Sequence, residues 1–128
     1  MILDTSIIID LLRGNKETKK KIEEIENKNI TLVTTSISVF EVFQGISFIN
    51  NDNKDKIYSL FESINILDFD NSSAREGGII QSNLKKEGKM IDPEDAMIAG
   101  IAKIHGEIIL TRNKKHFERI KGLNFESY

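Results

Sequence analysis

Short β-branched or apolar runs alternate along this chain with longer stretches of helical period, and that alternation limits the fold more than any other feature. Residues 1–3, 30–33, 65–69, 108–110 and 123–126 read as strands. Between them, 6–12 reads as a helix stopped by Gly14, and 16–26 as a charged helix whose thin apolar side is Ile22 and Ile25. Phe40, Phe43 and Ile46 predict a helix over 38–49, and Ile57, Leu60, Phe61 and Ile64 predict another over 52–63. Residues 72–87, closed by Gly88, then 93–104 and 114–120, complete the helical set. Strands that alternate with helices form parallel sheets, which bury both faces. The expectation is an α/β fold: a three-layer α/β/α sandwich around a mostly parallel five-stranded sheet.

Composition narrows the class. The chain has 128 residues, so one domain spanning 1–128 is expected. No repeat or proline-rich linker divides it, and the only proline is Pro93. Cysteine is absent, which excludes a disulfide scaffold, a thiolate zinc site and a cysteine nucleophile, and fits a reducing, cytoplasmic setting. No apolar run approaches the roughly 20 residues of a membrane span. No basic segment precedes an apolar stretch near Met1, so neither membrane insertion nor a secretory signal is expected. A net charge of -2 is unlike a protein that coats DNA. The cations instead cluster: Lys16, Lys19, Lys20 and Lys21, then Lys85, Lys86 and Lys89, then Arg112, Lys114, Lys115, Arg119 and Lys121. Each cluster reads either as a solvated helix face or as a local phosphate contact on a near-neutral body.

Open parallel sheets bind their ligands outside the carboxyl ends of the strands. Asp4 follows the first strand. Thr35 and Ser36 follow the second, with Glu41 on the next helix. Asp92 and Asp95 open the helix at Pro93, and Thr111, Arg112 and Asn113 follow the fourth strand. Asp4, Glu41, Asp95 and Asn113 can therefore meet at one rim. Three carboxylates in one cleft repel each other unless a counter-charge lies among them. A hard divalent ion, Mg²⁺ or Mn²⁺, suits these oxygen donors better than zinc does. Each residue also has a capping alternative. Ser38 and Glu41 have capping-box spacing, Asp92 precedes Pro93 as an N-cap does, and Asp4 and Asn113 each precede a helix. His105, before Gly106, and His116, in a basic helix, have no partner at metal-ligand spacing and read as structural. There is no glycine-rich phosphate loop and no serine-nucleophile elbow.

Four segments, in order, carry a resemblance. The opening Met1-Ile-Leu-Asp-Thr-Ser6 resembles the start of PIN-domain proteins. Thr35-Ser-Ile-Ser-Val-Phe-Glu41 is similar to the serine-rich turn that leads to that family's glutamate. Asp95-Ala-Met-Ile-Ala-Gly-Ile-Ala102 is similar to its aspartate and alanine-rich helix. Ile108-Ile-Leu-Thr-Arg-Asn113, with His116-Phe117 and Gly122-Leu123, resembles its closing strand and tail. Order, spacing and length resemble the VapC-type toxins of toxin–antitoxin pairs.

The resemblance implies a metal-dependent endoribonuclease that leaves 5′-phosphate and 3′-hydroxyl ends. It implies Asp4, Glu41 and Asp95 as catalytic acids and, with Asn113, as ligands of Mg²⁺ or Mn²⁺. Ser6 and Thr111 are implied as hydroxyls that orient them, with Asp92 as a supporting acid. Arg112, Lys114 and Lys115 are the candidates to hold the RNA backbone. The implied partners are an RNA substrate, a cognate antitoxin protein and a second copy in a homodimer. Asn113 departs from the family, which often has aspartate there, and brings no charge. Two rivals stand beside this reading. One is a catalytically degenerate PIN-fold binding protein, for which Asn113 is the best argument. The other is a phosphoacceptor receiver module, for which Asp68 and Asp70 are poorly placed.

Overall fold

The computed structural model describes residues 1–128. Its five strands are β1 (Ile2–Leu3), β2 (Val33–Thr35), β3 (Asn65–Leu67), β4 (Ile109–Leu110) and β5 (Phe125–Glu126). They form one sheet in the order β3-β2-β1-β4-β5, and every pair is parallel. The α-helices are α1 (Thr5–Leu12), α2 (Lys16–Asn27), α3 (Ser36–Phe43), α4 (Asn51–Ser63), α5 (Asn71–Lys86), α6 (Pro93–His105) and α7 (Lys114–Phe117).

Successive residues of a strand point to opposite faces, so a two-residue strand feeds both layers. Ile2 and Ile109 enter a core with Ile80 and Leu84 of α5, Ile98 and Ile101 of α6, and Phe117 of α7. Leu3 and Leu110 enter the other core, with Ile7 and Ile8 of α1, Ile25 of α2, Val42 of α3, and Ile57 and Phe61 of α4. The expected three-layer sandwich is therefore present. Ile2, Leu3, Ile109 and Leu110 are all buried to 1% exposure or less. Burial of a side chain of this size contributes about 1.5–3 kcal/mol.

Three elements differ most from expectation; one is the last helix, expected over 114–120, which ends at Phe117. The second strand lies at Val33–Thr35 and overlaps the expected strand at 30–33 only at Val33. Its threonines bury completely because their hydroxyls are satisfied: Thr34 Oγ1 donates to the Leu3 carbonyl at 2.9 Å, and Thr35 Oγ1 accepts from the Ser38 amide at 3.1 Å. Ile30 is left exposed beyond Asn29, which takes a left-handed φ of 59°. The helix expected over 38–49 starts earlier, at Ser36, and ends at Phe43. A separate 3₁₀ turn, Ile46–Phe48, follows Gly45.

The crossing of α5 and α6 fixes where the site can form. A Cβ on Gly100 would meet the Ser73 carbonyl oxygen at 2.5 Å and the Gly77 amide nitrogen at 2.7 Å. Only glycine permits that approach, and it brings the α6 backbone onto α5.

Candidate active site

The strand order reverses between β1 and β4, because β1 leads outward to β2 and β3 while β4 and β5 fill the other side. A crevice opens at the carboxyl ends of the strands at such a point. Asp4, at the end of β1, and Thr111, at the end of β4, close this gap: Thr111 Oγ1 donates to Asp4 Oδ2 at 2.6 Å. Ser6 Oγ donates to the same oxygen at 3.0 Å, and the Thr5 amide donates to Asp4 Oδ1 at 2.7 Å. Asp4 is only 3% exposed. Burial pushes its carboxyl above the usual range, even though the donors from Thr111, Ser6 and Thr5 favour the ionised form.

The orienting hydroxyls are themselves held. Thr111 Oγ1 accepts from the Asn113 amide at 2.8 Å, and Ser6 Oγ accepts from the Arg112 amide at 3.1 Å. The loop after β4 is thus locked to the first turn of α1.

Glu41 is not half of a capping box. Because α3 starts at Ser36, its N-cap is Thr35, and the Ser38 amide bonds Thr35 rather than serving a cap at Ser38. The Glu41 carboxylate instead accepts from Thr5 Oγ1 at 2.7 Å. Thr5 Oγ1 also lies 2.9 Å from Ser38 Oγ. Burial raises the Glu41 carboxyl, and the charges of Asp4, Asp95 and Glu94 push it the same way. A groove of about 360 Å³ reaches Glu41 between α1, α3 and α4, with Arg13 and Lys56 among its lining residues.

Asp95 sits in the first turn of α6 and is 8% exposed. Its Oδ2 receives Asn113 Nδ2 at 3.1 Å and lies 2.5 Å from His116 Nδ1. Burial raises its carboxyl, the bond to His116 lowers it, and the charge of Asp4 raises it again. Asp92 occupies the N-cap position of α6 but makes no side-chain cap bond. Asp92, Asp95 and His116 each offer a donor atom, and these three atoms lie within 4.8 Å of one another. Asp4, Glu41 and Asp95 do not close to that spacing as a trio; they are coupled through their charges.

His116 was not legible as a site residue, and neither was Thr5. The signal for His116 was its spacing from Asn113: three residues apart, the two share a face of α7. Arg112 is differently engaged from a free phosphate contact. Its guanidinium pairs with Asp10 at 3.4 Å and Glu17 at 3.1 Å, and stacks 4.2 Å above the Tyr128 ring centroid. Lys114 and Lys115 are exposed. Asp70, which a receiver module would need as an acceptor, is instead the N-cap of α5, accepting from the Ser73 amide at 2.9 Å.

A PIN domain model matches residues 1–123. The chain belongs to the PIN-domain family. A PIN-type relative, the tRNA(fMet)-specific endonuclease VapC of Shigella flexneri, is 30% identical over 129 residues, covering 99% of this chain and 96% of its own length. Ribonuclease VapC3 of Methanocaldococcus jannaschii is 37% identical over 100 residues, covering 78% of this chain and 95% of its own. Among solved structures, VapBC2 from Rickettsia felis, bound to a DNA fragment from its promoter, superposes with a TM-score of 0.88 at 25% identity, covering 99% of this chain and 97% of that one. VapBC-1 from nontypeable Haemophilus influenzae gives 0.86 at 30% identity, with 98% and 96% covered.

The residues of this PIN domain fit a divalent cation. Asp4, Glu41 and Asp95 are all held above the usual carboxylate range by burial. No lysine or arginine pairs with any of them; the one ion-pair partner among them is His116, on Asp95. An acidic set with two buried members, one half-buried and no lysine or arginine partner is the environment a hard divalent ion relieves.

Proposed function

We propose that this PIN domain is a metal-dependent endoribonuclease of the VapC type, the toxin of a toxin–antitoxin pair. The observation that carries the reading is the grouping of buried Asp4 and Asp95 with half-buried Glu41, each carboxylate fixed by its own hydroxyl, amide or imidazole partner. In this reading Asp4, Asp95 and Glu41 hold Mg²⁺ or Mn²⁺, and Asn113 supports Asp95. Bound there, the ion neutralises the scissile phosphate and makes a coordinated water more acidic.

The chain's own groups supply the rest. Thr111, Ser6 and the Thr5 amide hold both Asp4 oxygens, so the carboxylate meets an incoming cation without reorganising. Glu41 is fixed by Thr5, and burial raises its proton affinity, which favours a general-base role. It orients the attacking water and takes its proton. Lys114 and Lys115, exposed beside Asn113, hold backbone phosphates and add no base reading. Arg13 and Lys56 line the groove that reaches Glu41 and offer further phosphate contacts there. An antitoxin protein, a homodimeric assembly, a single domain over 1–128 and a cytoplasmic setting belong to the same reading.

The test is cleavage of RNA by the purified chain in Mg²⁺ or Mn²⁺, compared with the Asp4→Asn variant. Cleavage should stop in Asp4→Asn and in chelator, growth arrest on expression should disappear, and the circular dichroism spectrum should stay the same. Full nuclease activity in Asp4→Asn overturns the assignment.

A further inference from the structure

Thr111 and Asn113 each grip one of the acids, and Arg112 lies between them. Thr111 Oγ1 donates to Asp4 Oδ2 at 2.6 Å, and Asn113 Nδ2 donates to Asp95 Oδ2 at 3.1 Å. Side chains alternate along extended backbone, so Arg112 leaves on the other side. There its guanidinium meets Asp10 of α1 and Glu17 of α2, against the Tyr128 ring. We propose that Arg112 is a positioning residue: anchored to α1, α2 and Tyr128, it sets the Thr111–Asn113 loop in the register that holds Asp4 and Asp95.

A closed circuit holds the guanidinium. Arg112 Nε pairs with Asp10 Oδ2 at 3.4 Å, and Thr18 Oγ1 lies 3.4 Å from the same oxygen. Thr18 is fully buried, and its hydroxyl oxygen accepts from the Tyr128 hydroxyl at 2.7 Å. The Tyr128 ring then returns to Arg112, its centroid 4.2 Å from the guanidinium carbon. The other two nitrogens are engaged as well: Nη2 with Glu17 at 3.1 Å, and Nη1 with the Tyr128 main-chain oxygen at 3.2 Å. A phosphate would have to displace one of these partners. A planar guanidinium stacks on a ring and forks to two carboxylates at once, which a lysine ammonium cannot reproduce.

The main chain carries the restraint inward. The Arg112 amide donates to Ser6 Oγ at 3.1 Å, and Ser6 Oγ donates to Asp4 Oδ2 at 3.0 Å. The Asn113 amide donates to Thr111 Oγ1 at 2.8 Å, and Thr111 is the other donor to Asp4 Oδ2. Both hydroxyls on that oxygen are therefore aimed by amides of this one loop. A loop released from α1 and α2 would loosen both donors together, and Asn113 on Asp95 with them. The inference rests on the nuclease reading only for the kinetic half of its test.

Amide hydrogen exchange in chelator tests it without RNA. In Arg112→Ala, the amides at 5, 112 and 113, which donate to Asp4, Ser6 and Thr111, should lose more protection than the sheet amides of Ile2 and Ile109. A merely structural role lowers all of them by one common factor, and that result overturns the proposal. Tyr128→Leu removes the ring and the bond to Thr18 but leaves Arg112 in place. It should show the same selective pattern in weaker form, and it decides the matter if Arg112→Ala does not fold. With RNA and Mn²⁺, Arg112→Ala should lower kcat at least about tenfold, the scale seen when groups that orient a metal site's ligands are removed. KM should stay within about twofold, because no substrate contact is lost. Arg112→Lys, which keeps the charge, should not restore kcat. A raised KM with kcat unaltered, or rescue by Arg112→Lys, marks a phosphate contact and overturns the proposal. A chain that cuts no RNA yet shows the selective exchange refutes the nuclease reading alone.

Discussion

Adding one methyl group at Gly100 should loosen the crossing that carries Asp95. A Cβ there would lie 2.5 Å from the Ser73 carbonyl oxygen, 2.7 Å from the Gly77 amide nitrogen and 2.9 Å from the Gly77 Cα. All three are backbone atoms of α5, so no rotamer change relieves them. Overpacking of a filled interior costs about 1–3 kcal/mol, and three contacts this short put the cost at the upper end. Alanine returns up to about 1 kcal/mol over glycine in a helix interior. The net loss for Gly100→Ala is then about 2 kcal/mol. For a domain of this size that lowers Tm by roughly 6–10 °C. Gly78, exposed in α5 with nothing within 4 Å of its would-be Cβ, is the control. Gly78→Ala should stabilise by about 0.5–1 kcal/mol, from propensity alone. Thermal unfolding followed by circular dichroism reads both. A Tm for Gly100→Ala equal to or above that of the unaltered chain refutes the close crossing.

Two further outcomes follow from the site. In chelator, burial holds Asp4, Glu41 and Asp95 above the usual carboxylate range, so the folded chain binds more protons than the unfolded one just above pH ~4. Their contribution to metal-free stability is therefore favourable at the acid end and lost as pH rises through that window; Asp70, whose carboxyl is lowered by its bonds to Ser73, acts in the opposite sense below it. Urea midpoints should show this as a difference between the unaltered chain and Asp4→Asn that grows with pH in favour of the variant; a difference that shrinks with pH refutes it. Separately, Asn15 accepts from the Thr18 amide at 2.9 Å, so Asn15→Ala should cost about 1 kcal/mol, whereas Asp92→Ala, with no cap bond to lose, should stay within about 0.5 kcal/mol. Equal losses in denaturant titrations would mean that Asp92 caps α6 after all.

The sheet was legible because its signal is local. A run such as Ile108-Ile-Leu110 between a helix-closing Gly106 and a polar turn has few other ways to bury itself. The second strand was displaced for a physical reason. Apolar side chains at 30–32 mark burial only if polar ones cannot be buried, and Thr34 is buried at no unmet cost by bonding the Leu3 carbonyl. The end of α3 was hidden similarly: Phe43 and Ile46 keep helical spacing across Gly45, where the helix has already ended.

The candidate site divides along the same line. Asp4, Asp95 and Thr111 could be placed from sequence because strand ends and helix starts locate them. The contacts of His116 with Asp95 and of Thr5 with Glu41 depend on how α7 meets α6 and how α1 meets α3, over separations of 21 and 36 residues. No local pattern encodes that. The capping alternatives were also set up as rivals of the site, and the geometry dissolves the rivalry. Asp4, Asp92 and Asn113 all occupy N-cap positions, yet neither Asp92 nor Asn113 makes a side-chain cap bond, and Asp4 gives one oxygen to Thr5 while the other meets Ser6 and Thr111. An N-cap position places a polar side chain at the positive end of a helix and aims it out of the first turn. Where other donors satisfy the turn, that side chain is left for chemistry. Helix starts gathered at one rim of a parallel sheet therefore position the acids and stabilise their charge at once, and a sequence pattern that reads as capping is what such a site looks like before it is folded.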